Sequence, residues 1–348
     1  MDKDEKKHRI AELWRTCFHD SKAFVDFYFS EKYKDENAMA VIENGQVLSA
    51  LQMIPYTSTC WGKTFPVSYI AGASTHPDVQ GRGVMSGLLR SSFGEMFKRG
   101  IAFSVLIPAE TWLFKYYSRF GYASVYFENN VRFHIPATKK RGEKNLEELP
   151  LSLLYEYFYR KQLLNSCCIL HDWDDFRAIV KDIESEGGAV IAESQGNRVT
   201  ALAFALYDGS RVFIPEWMYD DEASKKVLLE KSSDYFGCSN VLCRSVSDKE
   251  GKAYGMARII RVEDMLTIWA ALHPECSCSL SVTDEIISEN NALFVIGEGT
   301  CRKQSLISGM EAMDINTLSS LLLMGENKNG YGCCPFPRQQ PSMSLMFS

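Results

Sequence analysis

One order of elements is written twice in this chain, and the repeat constrains its fold more than any other feature. In the first copy, Ile10, Leu13, Trp14, Cys17 and Phe18 recur at i, i+3, i+4, i+7 and i+8, the spacing of one helix face. Asp20 or Ser21 can cap a second helix that carries Phe24, Phe27 and Tyr28. The period then changes. Segments 38–43 and 46–55 flank Asn44-Gly45, a strong hairpin signal, and Phe65–Thr75 follows a second turn at Cys60–Lys63. Next come a turn-rich loop, His76 to Gly83, and a helix with Met85, Leu88, Leu89, Phe93, Met96 and Phe97. Gly100 stops that helix, and Ile101–Ile107 is a short apolar strand. A further helix through Trp112, Leu113, Tyr116 and Tyr117 ends at Gly121, before a strand near Val125–Phe133.

The second copy begins past a charge run, Lys139 to Lys144, which reads as a solvated linker. Helices near Leu151–Gln162 and Trp173–Glu184 precede a hairpin pattern at Ala189–Glu193 and Arg198–Tyr207. Strand Val212–Met218, helix Asp220–Phe236 and strand Val241–Val246 complete it, with Leu228-Leu229 in the place of Leu88-Leu89. The remainder differs. Ile259–Leu272 reads as an amphipathic helix, Ser279–Val282 and Ala292–Ile296 as strands, and Leu318–Met324 as a helix. Residues 326–341 are loop, and residues 342–348 alternate in part like a buried terminal strand. The domains expected are therefore 1–136, 145–252 and 253–348.

Composition narrows the function. With 38 Lys+Arg against 44 Asp+Glu the net charge is -6, which offers nucleic acid no basic surface and an anionic membrane nothing to hold. No apolar stretch is long enough for a transmembrane helix, and the charged Met1–Lys7 start is no secretory signal. The 11 cysteines then read as reduced thiols of a cytoplasmic protein. Their spacing, with Cys167-Cys168 and Cys333-Cys334 adjacent, suits no metal, and none is expected.

The chemistry concentrates in Gln80-Gly81-Arg82-Gly83, between a strand and a helix. A helix N-terminus presents unpaired N–H groups and the positive end of its dipole. Glycines let the backbone approach an anion, so the loop is a ready diphosphate cradle to which Arg82 can add a charge-assisted contact. No Lys-Ser/Thr follows, so this is not a nucleotide-hydrolysing P-loop, and the glycines do not make G-x-G-x-x-G. The second copy places Asp220-Asp221-Glu222-Ala223 here. Three carboxylates would repel a phosphate while suiting a helix N-terminus structurally, so this copy is expected to bind no such ligand.

Thr75 to Met85 resembles the coenzyme A loop of the GNAT family of N-acetyltransferases, whose core is Gln/Arg-x-x-Gly-x-Gly/Ala. Gln80 and Gly83 match, and Met85 stands where Gly or Ala is usual. Phe114 to Tyr122 resembles the family's Tyr-x-x-x-Gly-Phe helix end, with Tyr117 four residues before Gly121. The whole plan is similar to the Eis-like (enhanced intracellular survival) acetyltransferases. The resemblance implies an α/β (α+β) fold: tandem GNAT-like mixed sheets flanked by helices, then a C-terminal sterol-carrier-protein-like α+β domain. It implies an acyltransferase moving acetyl from acetyl-CoA to a primary amine in a ternary complex.

On that reading, Ala73, Ser74, Thr75, Gln80, Gly81, Arg82, Gly83, Val84 and Met85 hold the coenzyme, and Tyr117 gives a proton to the departing thiolate. The family's C-terminal carboxylate makes Ser348 the first candidate base, with His76 second and a water-relayed base a further alternative. Trp14, Phe24, Phe27, Tyr28 and Tyr33 lie on helices that border the acceptor cleft in this family, although helical spacing favours core packing for most of them. Asp26 and Glu31 could attract a cationic amine. The acceptor expected is a small molecule or a lysine-bearing partner, and a homo-oligomer is possible. Two other readings remain: a binding protein with a vestigial coenzyme loop, and a peptidyl- or aminoacyl-transferase of paired GNAT type.

Overall fold

The computed structural model describes residues 2–139, 149–307, 309–325 and 336–347. The chain opens with α1 (Lys3–Cys17) and α2 (Lys22–Glu31), capped by Asp2 on Glu5 N and by Ser21 on Phe24 N. Then come β1 (Ala38–Glu43), β2 (Gln46–Cys60), β3 (Lys63–Thr75), α3 (Val84–Lys98), β4 (Phe103–Leu106), α4 (Thr111–Ser118) and β5 (Ala123–His134). The second copy is α5 (Leu151–Leu163), β6 (Ile169–Leu170), α6 (Trp173–Ser185), β7 (Ala189–Gln195), β8 (Arg198–Tyr207), β9 (Val212–Tyr219), α7 (Glu222–Phe236) and β10 (Asn240–Ser247). The chain continues through β11 (Lys252–Ile259), α8 (Val262–Leu272), β12 (Cys278–Thr283), β13 (Ala292–Gly297), β14 (Thr300–Gln304), β15 (Met313–Asp314) and α9 (Ile315–Met324).

Two compact units result. The first gathers residues 1–125 and 254–339 with Phe347, and the second gathers 126–253 and 340–346. The segment expected as a third domain is thus divided, most of it packing with the first unit. Of the expected linker run, only Lys139 lies within the described residues. Residues 326–335 and Ser348 lie outside them, and the ending forms a single bridge, Cys168 to Ser342, rather than a strand.

The ladders of the two units have one plan. In the first, β1, β2 and β3 pair antiparallel in sequence, and β3 pairs parallel with β4. In the second, β7, β8 and β9 repeat this, and β9 pairs parallel with β10. The next position is exchanged. β11 lies antiparallel beside β4, whereas β5, which follows α4, lies antiparallel beside β10. Sequence reading placed a helix from Ile259 and missed β11, because Lys252–Ile259 shows no clean alternation and carries an internal Gly255. The helix starts three residues later, at Val262.

Leu88 and Leu89 on α3 are buried with Leu51, Ile70 and Phe93. Leu228 and Leu229 on α7 are buried with Ile191, Ala203 and Ile214. In each unit the leucine pair is the helix's apolar stripe laid on its sheet. In the described residues, eight cysteines are free thiols, and Cys278 is disulfide-bonded, which departs from the expectation of reduced thiols throughout. No helix among them is long and apolar enough to cross a membrane.

One local feature shapes the end of β3. The register jumps from Gln52↔Ala71 to Ala50↔Ser74, so Gly72 and Ala73 together oppose Leu51. That is a β-bulge, with Gly72 at φ +57°. A Cβ there would stand 2.2 Å from the ring of Trp14, which is buried and donates to Asp20 Oδ2 at 2.7 Å. Gly72→Ala is expected to destabilise the first unit by about 2–4 kcal/mol through φ strain and displacement of the indole. Gly45→Ala, with positive φ but open space, costs about 1 kcal/mol. Urea midpoints of the two variants measure the difference.

Candidate active site

β3 and β4 pair only at Val67↔Phe103, Ser68↔Ser104 and Tyr69↔Val105. β3 continues to Thr75 while β4 ends at Leu106, so the last residues of β3 present an edge that β4 does not cover. The strand end is held from its other side. Ser49 Oγ donates to Ser74 O at 2.9 Å, and His76 N donates to Leu48 O at 2.8 Å. Thr75 O accepts from both Gln80 Nε2 at 3.1 Å and Cys17 Sγ at 3.3 Å. Gln80 thus braces the loop against the strand. Burial raises the Cys17 thiol above its ordinary range, which keeps it a donor.

The loop delivers the chain to α3 through two left-handed glycines, Gly81 at φ +76° and Gly83 at φ +81°. Gly83 is the N-cap residue and supplies no side-chain acceptor. Among the described residues, no acceptor meets the amides of Gly81, Gly83, Val84, Met85 or Ser86. A Cβ at either glycine would touch nothing within 4 Å, so the space before these amides is open. A bare helix N-terminus facing open space is an anion site in waiting. Arg82 is exposed and has no ion-pair partner among the described residues.

The second unit presents the opposite arrangement. Asp221 caps α7, its carboxylate accepting Ser224 N at 2.7 Å, and this bond holds its pKa below the ordinary carboxylate range. Asp220 is gripped by Arg198 at 2.9 Å and Lys161 at 3.3 Å.

A cavity of about 570 Å³ in the first unit joins the β3 edge to the α3 N-terminus. Ala73, Ser74 and Thr75 line it, as do Gln80, Gly81, Gly83, Val84 and Met85. Tyr117 closes it from α4. Of the residues expected at the site, Arg82 stands beside this cavity rather than in its wall, and Ser348 lies outside the described residues. Phe347, just before it, packs 6.0 Å from Phe27 under Lys32. His76 does not line the cavity; it is half-exposed and accepts Asp78 N at 3.3 Å.

Tyr117 is 7 % exposed. Its hydroxyl has no hydrogen-bond partner among the described residues. Burial first, then neighbouring Tyr116, holds its pKa well above the tyrosine range, so the proton stays on. Tyr116 stands edge-on to it at 5.3 Å and shares a 3.3 Å hydrogen bond with Ser86 on α3.

Sequence reasoning missed part of the wall. Cys17 and Phe18 come from the end of α1, where they read as helix core. Trp112, Leu113, Tyr116 and Arg119 come from α4. The 62 % exposure of Trp112 marks it as more than packing, and nothing in a helical spacing reports exposure. Of the aromatics expected near an acceptor, Trp14, Tyr28 and Tyr33 are core, and Asp26 is engaged by Arg15 and Lys22. No metal-holding group of three or more His, Cys, Asp or Glu exists among the described residues.

A family model described as an acetyltransferase (GNAT) domain matches residues 2–125. Among solved structures, a GCN5-related N-acetyltransferase from Anabaena variabilis is 17% identical and superposes over 91% of this chain and 87% of its own, with a TM-score of 0.73. A probable N-acyltransferase from Enterococcus faecalis is 16% identical over 94% and 89%, also at 0.73. An Eis protein from Mycobacterium abscessus is 11% identical over 98% and 97%, again at 0.73. At such identities the likeness is one of fold. No curated protein matches the sequence. Residues 2–125 therefore match the GNAT acetyltransferase domain model, and the chain has a mixed α/β fold of tandem GNAT-like units.

Proposed function

We propose that the first unit transfers an acetyl group from acetyl-CoA to a primary amine, directly and in a ternary complex. The observation that carries this reading is the continuity of one cavity, from the bare amides of α3, along the uncovered edge of β3, to the protonated hydroxyl of Tyr117. The amides of Gly81 and of Gly83 to Ser86 would hold the diphosphate, with Arg82 adding charge at its mouth. The open β3 edge offers main-chain groups to the pantetheine arm. An amide of Ala73–Thr75 on that uncovered edge would meet the charge that develops on the thioester oxygen. The neutral amine attacks the carbonyl carbon, the carbon–sulfur bond breaks and Tyr117 gives its proton to the leaving sulfur, while the N–H proton of the attacking amine passes through water to solvent, which returns a proton to Tyr117.

The second unit serves as scaffold on this reading, because a carboxylate already occupies the amides of α7. The β14-β13-β12-β15 ladder with α8 and α9 supports reading the C-terminal segment as the sterol-carrier-like part of the Eis plan. The acceptor would be a small molecule or an exposed lysine in the cytoplasm.

Acetyl-CoA is expected to raise the melting temperature, equivalent to about 2.7 kcal/mol at a hundredfold excess over Kd. Gly83→Asp, which copies the acidic arrangement of the second unit, should abolish that shift in a thermal-shift titration. Asp221→Ala should keep it while lowering the melting temperature by about 2–4 °C through the lost cap. Tyr117→Phe should leave the shift intact and lower kcat by about 10²–10⁴-fold in a thiol-release assay. The sign of the pH dependence follows from the raised pKa of Tyr117. The acid form persists as pH rises, so kcat should climb with deprotonation of the amine and not fall through the ordinary tyrosine range near ~10. A pH–rate profile that falls there contradicts the role.

A further inference from the structure

We propose that Arg258 and Asn316 are positioning residues for Tyr117: the segment after residue 254 grips the turn that ends α4 and so sets the angle of the tyrosine in its cavity. This rests on Tyr117 being the proton donor.

α4 has eight residues and no side-chain cap at its N-terminus. A helix so short has little stability of its own, and what holds its ends fixes its direction. Its C-terminal turn folds back on Tyr117, whose carbonyl accepts Phe120 N at 2.9 Å and Tyr122 N at 3.4 Å. The ring of Tyr122 meets that of Tyr117 edge-on at 5.9 Å.

Three successive residues of this turn are held by the distant segment. Arg258 Nε donates to Phe120 O at 2.7 Å. Ile315 and Arg258 fill the space where a Cβ on Gly121 would stand, at 2.4 Å and 3.2 Å. Asn316 Nδ2 donates to Tyr122 O. Arg258 is itself immobilised. Its Nη2 donates to Asp284 Oδ1 at 2.7 Å, its Nη1 to Ile259 O at 2.8 Å, and its guanidinium lies 4.6 Å over the ring of Phe93. Asp284 in turn accepts Ile286 N, Ile287 N and Asn290 Nδ2 at 2.9–3.1 Å. Both charged side chains are at most 1% exposed. Desolvation largely cancels what such a pair adds to stability, so its value here is geometric.

The titratable and charged groups around Tyr117 are Cys17 from α1, Tyr116 and Arg119 from α4, and Tyr122 from β5. The stretches of α3 and β3 that line the cavity bring none. Water admitted by a loosened turn would therefore lower the pKa of Tyr117 by relieving its burial, and the cationic Arg119 in the same wall favours the phenolate and acts in the same direction.

The test compares Asn316→Ala, Arg258→Lys, Tyr117→Phe and the double variant Asn316→Ala/Tyr117→Phe in the full chain. Asn316 is only part-buried, so its variant is expected to fold even where the Arg258 variant does not; circular dichroism and melting check both. Expected are a KM for acetyl-CoA within about twofold of the parent, a kcat lower by about tenfold or more, and an alkaline fall of kcat at lower pH. The double variant should be no slower than Tyr117→Phe alone, because a residue that acts only through the hydroxyl has nothing left to position. A folded Asn316→Ala with parental kcat, or losses that multiply in the double variant, overturns the proposal. Parental kcat in Tyr117→Phe instead removes the proton-donor role, and this proposal with it.

Discussion

Strands β3 and β4 hydrogen-bond across three residue pairs and then part. Backbone amides and carbonyls left inside a protein must find partners, so a strand that loses its neighbour creates a demand that water or a ligand meets. The rest of the first unit is arranged around that demand. The bulge at Gly72 turns the end of β3, the loop carries two left-handed glycines, and α3 points its uncapped amides at the opening. α4 supplies the far wall.

The other side of β4 explains why the first unit needs residues from beyond position 253. β5 leaves to pair with β10, and the place beside β4 is filled by β11. β11 brings Arg258 to Phe120, across 138 residues of sequence. Contacts of such separation form late in folding because loop closure must precede them.

The repeat was legible because it rests on local signals. Asn44-Gly45 sits in the turn between β1 and β2, and Leu88-Leu89 and Leu228-Leu229 lie on equivalent sheets. Gly81, Gly83 and Tyr117, separated in sequence, line one cavity, and it was the family resemblance, not their spacing, that grouped them. The strand exchange was not legible. Nothing local distinguishes a β11 that pairs with β4 from one that pairs with a nearer strand, and Gly255 blurs its pattern. Cys17, Phe18 and Trp112 escaped for a related reason, since periodicity reports which face is apolar and not where that face opens onto a cleft.

The cap on α7 ties the fold of the second unit to its charge. Asp221 holds the amide of Ser224, so the first turn of that helix depends on a carboxylate at the corner where α3 presents bare amides. Removing the acid alone would uncap the helix, and adding glycines alone would leave the acid in place. Converting that corner into a likeness of the first therefore takes several substitutions made together.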